Sequence, residues 1–488
     1  MRVKTSNGNL LYFPGYYLVF LFLFVSVFCY FMWPSDLSEN MNANYLNLII
    51  SMFMYQIVIT MVFLNRKVDI FEPILLIAIL HYFLYVVAPI RSIWADDTIH
   101  KAGTDTFGGC IKGTWIAFIV FVCIVLIYEI SNQKSFQRLD RTNILNWNSS
   151  HVLVLSYILW CVGFMSTLAY LSLRGISLAY IVSLGSSGSF NEDLVDNFGY
   201  AFLSVIGNLM FASWMFIYAL SRKRLVKGML FVLTLLCLIV RGFRIFIVIL
   251  CLAPIVFRYM KKKMRPSLKT IALVLALNML IVGIIGWSRV ALRTNNLENL
   301  DSFSVESIPG DLIGNLDIYK TYYGVVLAVP EHMNYTYGQQ MISYTLLMLV
   351  PRAIWSSKPQ PISRELLGYS LNKYAVVAGS AYPAIGEWYH EFGFIGCCII
   401  AFFCGYLLKR MWVRYRNDDT VSGLISYALI FSSLLQFVIR GYTPTNFWMI
   451  ISLMVPIWVI NYCCAKHEIK GPKRHGKHSY FYQYSHTL

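Results

Sequence analysis

The sequence predicts an all-α, polytopic membrane protein with about twelve transmembrane helices and one large loop on the outer side of the membrane. Two observations carry this prediction: 58% of the 488 residues are hydrophobic and only 13% are charged, with a mean hydropathy of +0.59. Soluble globular domains carry about 25% charged residues, so this composition is typical of chains that cross a bilayer repeatedly. The net charge of +16 then indicates basic loops against anionic lipid, and no nucleic-acid partner is expected.

Apolar runs near the length that crosses a bilayer, roughly 20 residues, recur along the chain. The first run is not followed by a small-residue cleavage site, so we expect a retained helix and not a signal peptide. The predicted helices cover residues 16–33, 45–64, 71–90, 115–130, 152–173, 200–220, 228–240, 245–257, 270–287, 392–408, 421–439 and 446–464.

The helices divide the chain into four parts. Residues 1–287 are predicted to hold the first nine helices, 288–391 the large outer loop with short helices, 392–464 the last three helices, and 465–488 a basic tail. With the N-terminus placed inside, 26 of the 40 Lys and Arg residues fall in the inner segments. Because cytoplasmic loops are enriched in Lys and Arg, both termini are expected to be cytoplasmic and the large loop to lie outside.

The runs 228–240 and 245–257 are short, because thirteen helical residues span only about 20 Å. The connecting sequence VRGFRIF places Arg241 and Arg244 in an apolar setting. We expect a helical hairpin that turns below the outer surface, with both guanidinium groups facing the protein interior or a water-filled cavity. Charged groups at that depth mark functional positions. The alternative is that both side chains snorkel to the lipid headgroups.

The outer loop contains further signals. Arg289 and Arg293 follow an apolar helix with the spacing that places both on one face if the helix continues. The segment QQMISYTLLMLVPRAIW is apolar over too few residues for a span, which favours an interfacial or re-entrant helix. Pro359 and Pro361 then enforce an extended backbone.

Arginine predominates on the predicted outer side, where it accounts for nine of the 14 basic residues. Its planar, permanently charged group binds phosphate oxygens in a bidentate manner. Several of these arginines lie at helix ends, the depth of a lipid pyrophosphate, and Arg440 precedes GYTPTN between two late helices. Because an outer site cannot use cytoplasmic nucleotide-sugars or ATP directly, a membrane-delivered lipid phosphate is the better candidate substrate. The alternative for any single arginine is that it anchors a helix end.

The sequence AYPAIGEWYHEFGFIG leads from the loop into an apolar helix near Phe392. If that helix starts early, Glu387, His390 and Glu391 occupy neighbouring faces. Glycosyl transfer needs a base that accepts the proton of the acceptor hydroxyl, and a partly desolvated Glu or His can serve. Glu387 and His390 are therefore candidate catalytic residues. The alternative is that the two carboxylates only favour a helix N-terminus.

No cofactor and no metal site are predicted. Asp96 and Asp97 are the residue type that binds divalent cations, but a solvated loop is the favoured interpretation of this pair. The cysteines of the apolar helices are interpreted as packing residues.

Two motifs resemble those of a known family. PRAIWSSKP and GEWYHEFGFIG, together with the arginine-bearing RGFR segment, are similar to the Wzy-type O-antigen polymerases, the oligosaccharide repeat-unit polymerases of bacterial inner membranes. The family shows a Pro-Arg, Trp, Lys-Pro element in its outer loop and a Gly-Glu-aromatic-Tyr element entering the next helix. The matching positions are Pro351, Arg352, Trp355, Lys358, Pro359, Gly386, Glu387, Trp388, Tyr389, Phe392, Gly393 and Gly396.

The resemblance implies a GT-C-like fold and transfer of a growing chain between undecaprenyl-diphosphate-linked repeat units at the periplasmic face. It also implies a chain-length regulator as a candidate partner. Pyrophosphate or sugar contacts are expected from Arg241, Arg244, Arg289, Arg293, Arg352, Trp355, Lys358, Tyr389 and Arg440. The related O-antigen ligases carry a His where this chain has Glu387, which favours a polymerase over a ligase. A flippase of lipid-linked oligosaccharides is the alternative from another class.

Overall fold

A computed structural model describes residues 12–98, 105–131, 146–173, 201–241, 244–267, 269–271, 318–347, 350, 355, 383–417 and 420–466. The chain is helical in most of these ranges. The helices are α1 (Tyr16–Phe31), α2 (Glu39–Phe63), α3 (Pro73–Tyr82), α4 (Ala88–Trp94), α5 (Cys110–Ile130), α6 (Ser149–Leu173), α7 (Ala201–Gly207), α8 (Leu209–Leu220), α9 (Arg224–Arg241), α10 (Arg244–Lys262), α11 (Ile318–Ala328), α12 (Tyr344–Leu347), α13 (Ala384–Asn417), α14 (Val421–Ile439) and α15 (Thr443–Cys464).

Short irregular helices and strands complete the fold. A π-helical turn, Phe83–Val87, joins α3 to α4, a 3₁₀ turn, Phe107–Gly109, precedes α5, and a second π-helical turn, Gln339–Ser343, precedes α12. The strands β1 (Tyr12–Pro14) and β2 (Lys67–Asp69) pair in antiparallel fashion, as do β3 (Asn146–Trp147) and β4 (Ala465–Lys466).

Eight helical segments within the described ranges are long and apolar enough to cross a membrane. They are Glu39–Phe63, Pro73–Trp94, Phe107–Ile130, Ser149–Leu173, Phe202–Leu220, Ala384–Arg416, Val421–Ile439 and Thr443–Cys464, and α1 is a shorter apolar helix. The protein is therefore an integral membrane protein of the predicted all-α class. Nearly all of the predicted helix at 270–287 lies outside the described residues, and the total of twelve stays a prediction.

The predicted hairpin is present as α9 and α10, which pack against each other. The two helices have 18 and 19 residues, longer than the apolar runs that predicted them. The difference arises because counting apolar residues leaves out basic helix ends such as Arg258–Lys262. In the same way α13 begins at Ala384, ahead of the predicted start near Phe392, because its first turns carry the polar sequence GEWYHE.

Helix α11 lies in the predicted outer loop, yet it is packed into the bundle. Tyr322 donates to the backbone oxygen of Gly113 at 2.8 Å, and the Tyr323 hydroxyl lies 3.2 Å from that of Thr114. The buried Lys320 pairs with Asp97 at 3.0 Å. Asp96 and Asp97 are exposed, as expected for a solvated loop, and Asp97 is in addition the partner of a buried cation.

The other end of the bundle holds the Arg66 cluster, made of Arg66, Glu72, Tyr128, Glu129 and Lys409. The Nη1 atom of Arg66 lies 3.2 Å from Glu72 and 3.3 Å from Glu129, and Tyr128 donates to Glu72 at 3.1 Å. The Nζ atom of the buried Lys409 lies 4.3 Å from the ring centroid of Tyr128. These contacts join the segment after α2 to the ends of α5 and α13.

Candidate active site at the start of α13

The first turns of α13 are set apart from the rest of that helix by a kink. Gly393 has φ of 66° and ψ of −165°, which breaks the helical backbone one residue after Phe392. Glycine fits this position because a residue with a Cβ atom is strained at such a φ. The kink leaves a short helical segment, Ala384–Phe392, that carries Glu387, Tyr389, His390 and Glu391 together, as the sequence predicts for an early helix start.

Glu387 is buried and connects α13 to α15. Its two carboxylate oxygens accept from the backbone N–H of Thr443 at 3.1 and 2.9 Å, and the Thr443 hydroxyl is a further close partner. Thr443 is the first residue of α15, where the free N–H groups and the helix dipole favour a negative charge. Glu387 therefore holds the N-terminus of α15 against the start of α13.

The turn that carries Arg440 lies against the same segment. A Cβ atom on Gly441 would lie 2.0 Å from the Cα atom of Ala384, so only glycine allows this approach. Asn446 donates to the backbone oxygen of Arg440 at 2.8 Å, which fixes the turn, and the Arg440 side chain is exposed. The structure thus brings the backbone of Arg440 close to the Glu387 segment.

Glu391 organises the chain before α12. Its carboxylate accepts from the Thr336 hydroxyl at 2.7 Å, from the backbone N–H of Gly338 at 2.7 Å and from that of Met341 at 2.8 Å. Its backbone oxygen accepts from the N–H of Tyr337 at 2.7 Å. We call residues 335–341 the clamped turn, because this one buried glutamate fixes it over α13.

His390 differs from both carboxylates. It is only 1% exposed, and neither ring nitrogen has a hydrogen-bond partner among the described residues. A buried polar group without a partner costs free energy, and in native proteins such a group calls for an explanation such as a bound ligand or a catalytic role. One neutral imidazole nitrogen donates and the other accepts, so His390 is equipped to receive a proton from a hydroxyl group.

Tyrosines and a lysine lie beside the histidine segment. Tyr389 is buried, and its hydroxyl donates to the backbone oxygen of Val329 at 3.3 Å. The Nζ atom of Lys112 lies 5.5 Å from the centroid of the Tyr389 ring. The ring of Tyr335 lies 6.2 Å from that of Tyr389. Burial and a hydrogen bond to Tyr389 raise the pKa of Tyr335, so its phenol is neutral at physiological pH.

The structure gives less information about the remaining predicted site residues. Arg241 and Arg244 lie at the facing ends of α9 and α10, and Trp355 is exposed. Arg289, Arg293, Arg352 and Lys358 lie outside the described residues. The structure therefore brings together Glu387, Tyr389, His390 and the backbone of Arg440, and it does not place the other predicted residues with them.

Several residues of the site were not predicted from the sequence: Lys112, Tyr335, Thr336 and Thr443. Only Thr443 had a usable local signal, since a threonine followed by proline before an apolar run is typical of a helix start. The other three lie far from α13 in the sequence and reach it through tertiary packing, Lys112 and Tyr335 at Tyr389 and Thr336 at Glu391.

Comparison with protein-family models matches residues 16–468 to the family described as O-antigen polysaccharide polymerase Wzy. No curated protein and no solved structure matches the chain at a significant level. The family match covers all the described helices and both ends of the bundle, including the segment with Glu387, His390 and Glu391. The chain therefore belongs to the O-antigen polysaccharide polymerase Wzy family.

Proposed function

We propose that the protein elongates a surface polysaccharide by joining undecaprenyl-diphosphate-linked repeat units at the periplasmic face of the bacterial inner membrane. Its family acts on lipid-linked oligosaccharide repeat units, and the finer assignments of carrier and membrane face belong to this proposal. One observation carries the proposed site: His390 is buried, unpartnered among the described residues, and flanked by two carboxylates that are already hydrogen-bonded.

In the proposed reaction His390 acts as the base. The acceptor hydroxyl attacks the anomeric carbon of the donor saccharide while its proton passes to a ring nitrogen of His390. The bond between that carbon and the lipid diphosphate breaks, and the electron pair leaves with the diphosphate. Glu387 positions the turn of Arg440 and does not itself take the proton, because donors from Thr443 already occupy both of its carboxylate oxygens.

The charge that develops on the leaving diphosphate needs cationic partners. Arginine suits this role because it is permanently charged and binds phosphate oxygens in a bidentate manner, so no metal ion is required. The candidates are Arg241, Arg244, Arg289, Arg293, Arg352, Lys358 and Arg440. Trp355 and Tyr389 are candidate contacts for the sugar.

The same proposal includes the orientation in the membrane. Pairing of β1 with β2 and of β3 with β4 supports it, because the four strands come from segments that the charge rule assigns to the inside. We propose twelve spans, cytoplasmic termini, a GT-C-like arrangement and, as a partner, a regulator of chain length.

The test is reconstitution. Purified protein in liposomes receives a synthetic undecaprenyl-diphosphate repeat unit, and the products are separated by gel electrophoresis and mass spectrometry with and without EDTA. We expect ladders of polymer under both conditions and their loss in His390→Gln. Movement of the substrate across the bilayer without elongation would overturn the proposal in favour of a flippase.

A further inference from the structure

The clamped turn presents a tyrosine to the outside under conformational strain. Tyr337 has φ of 49° and is 76% exposed. A bulky residue rarely adopts a positive φ, and the strain persists only where the surroundings enforce it. Here Glu391 enforces it, because its backbone oxygen and its carboxylate bind the N–H groups of Tyr337 and Gly338.

The exposed ring is not alone. The ring centroid of Tyr335 lies 6.1 Å from that of Tyr337, with an angle of 62° between the planes. Tyr335 in turn approaches Tyr389 at an interplanar angle of 79°. The Nζ atom of the exposed Lys112 lies 5.5 Å from the ring centroid of Tyr389. Two accessible tyrosine rings and one ammonium group thus lie around the buried ring of Tyr389, at the edge of the segment that carries His390.

This combination fits a carbohydrate. The C–H groups of a sugar ring carry a partial positive charge and pack on the negative faces of aromatic rings, and Lys and Tyr side chains are donors for sugar oxygens. A single tyrosine that only anchors the protein at the membrane interface has no need of a strained backbone or of a second ring set at an angle to the first.

We propose that Tyr335, Tyr337 and Lys112 form a saccharide-binding subsite, with Tyr389 as its floor and Glu391 as the positioning residue that holds the turn in place. The subsite takes a sugar of the repeat unit next to the one that reacts. It rests on the proposed function for the identity of the saccharide, and it does not depend on the transfer reaction.

The experiment measures binding without transfer. Purified protein in nanodiscs is titrated with lipid-free oligosaccharide prepared from the polysaccharide of the source strain, and saturation-transfer NMR gives the affinity. We expect Tyr337→Ala to weaken binding at least fivefold, Lys112→Gln to weaken it about threefold, and Tyr337→Phe to bind like the wild type because the ring face is kept. The matched control is Tyr462→Ala, at a tyrosine that is 86% exposed and lies at the C-terminal end of α15, far from Thr443.

Wild-type affinity in Tyr337→Ala would overturn the subsite. So would a fall in melting temperature without a change in affinity, which would identify Tyr337 as a membrane anchor. The two proposals can fail separately. Loss of binding in Tyr337→Ala, with no elongation of lipid-linked units by the wild type, would remove the proposed function and leave the subsite. Elongation by the wild type, with unchanged affinity in Tyr337→Ala, would remove the subsite and leave the proposed function.

Discussion

Buried acidic residues occur at both ends of the helix bundle, but they are stabilised in different ways. In the Arg66 cluster Glu72 is paired with a guanidinium group and also receives a hydrogen bond from Tyr128. At the start of α13, Glu387 receives its hydrogen bonds from neutral groups of Thr443, and within the described part of the chain it forms no ion pair.

The difference separates a structural end from a reactive one. In the Arg66 cluster acidic and basic groups neutralise one another, and removing one partner of such a buried pair destabilises the fold. At the start of α13 neutral donors from Thr443 bind Glu387, and no arginine of the described residues pairs with it. The neighbouring His390 is buried and has no hydrogen-bond partner in the same part of the chain. Substitutions at the two ends should therefore affect different properties of the protein.

The largest effect is expected at His390. Replacement by Gln keeps a polar side chain of similar size but removes the base, and a general base contributes about 100- to 10,000-fold to a rate. We expect a loss of elongation in this range with little change in the melting temperature, measured by reconstitution and thermal unfolding of the same preparation.

The matched control for this prediction is His81→Gln. His81 is also buried, 3% exposed, and lies in the span Pro73–Trp94, away from α13 in the sequence. The elongation rate of His81→Gln should stay within about twofold of the wild-type rate, because this residue lies outside the reacting groups. Equal loss in both variants would mean that burial of an imidazole, and not proton transfer, explains the importance of His390.

The next largest effect is expected at Glu391, through the clamped turn. Glu391→Ala leaves three donors in the site without their acceptor, and each costs about 1–3 kcal/mol, so we expect a loss of about 3–9 kcal/mol in the free energy of unfolding. Elongation should fall by up to about 100-fold because the turn no longer holds its position. Glu391→Gln keeps one acceptor oxygen and should give intermediate values, and an unchanged melting temperature in the Ala variant would contradict the clamp.

A smaller effect is expected at Glu387 if it positions the neighbouring turn. Glu387→Gln keeps one oxygen that can accept from Thr443 and loses the other, and the loss of one hydrogen bond corresponds to about tenfold in elongation rate. Thr443→Val removes the hydroxyl partner and should fall in the same range. A loss in Glu387→Gln as large as that in His390→Gln, with Thr443→Val near wild type, would instead identify Glu387 as the base.

The sequence located most of the membrane-spanning helices but not all of their ends. Apolar runs located the spans because hydrocarbon tolerates few charges, but they misplaced helix ends that carry polar residues, as at the start of α13. Helix α11 was not predicted, because it also carries polar residues. Its tyrosines and Lys320 look like a polar loop, and they are buried only because partners such as Gly113 and Asp97 satisfy their polar atoms.

The candidate site, too, was predicted only in part. The spacing of Glu387, His390 and Glu391 predicted that one helical segment carries all three, and a shared depth in the membrane predicted that Arg440 lies close to them. The different surroundings of the three side chains could not be predicted, because Thr443 and Thr336 each come from more than 50 residues away. Only the folded structure shows that those long-range donors bind the two carboxylates and that, among the described residues, no hydrogen-bond partner reaches His390.

The smallest effect is expected beside the Arg66 cluster, at Asp69 in β2. Burial raises the pKa of this carboxyl from 3.8 to about 6, although its hydrogen bond from the backbone N–H of Phe71 acts in the opposite direction. The folded state therefore binds the proton more tightly than the unfolded state. The stability that this proton contributes is complete below pH 4, falls as the pH rises to about 6 and is absent above.

Asp69→Asn cannot titrate and keeps an oxygen for the Phe71 N–H. Its free energy of unfolding should equal that of the wild type near pH 4 and exceed it by about 2–3 kcal/mol at pH 7, as thermal unfolding across this pH range would measure. Elongation at pH 7 should be unchanged, because Asp69 lies at the structural end of the bundle. A variant that loses elongation while gaining stability would mean that the two ends are coupled, and the separation between a structural and a reactive end would have to be abandoned.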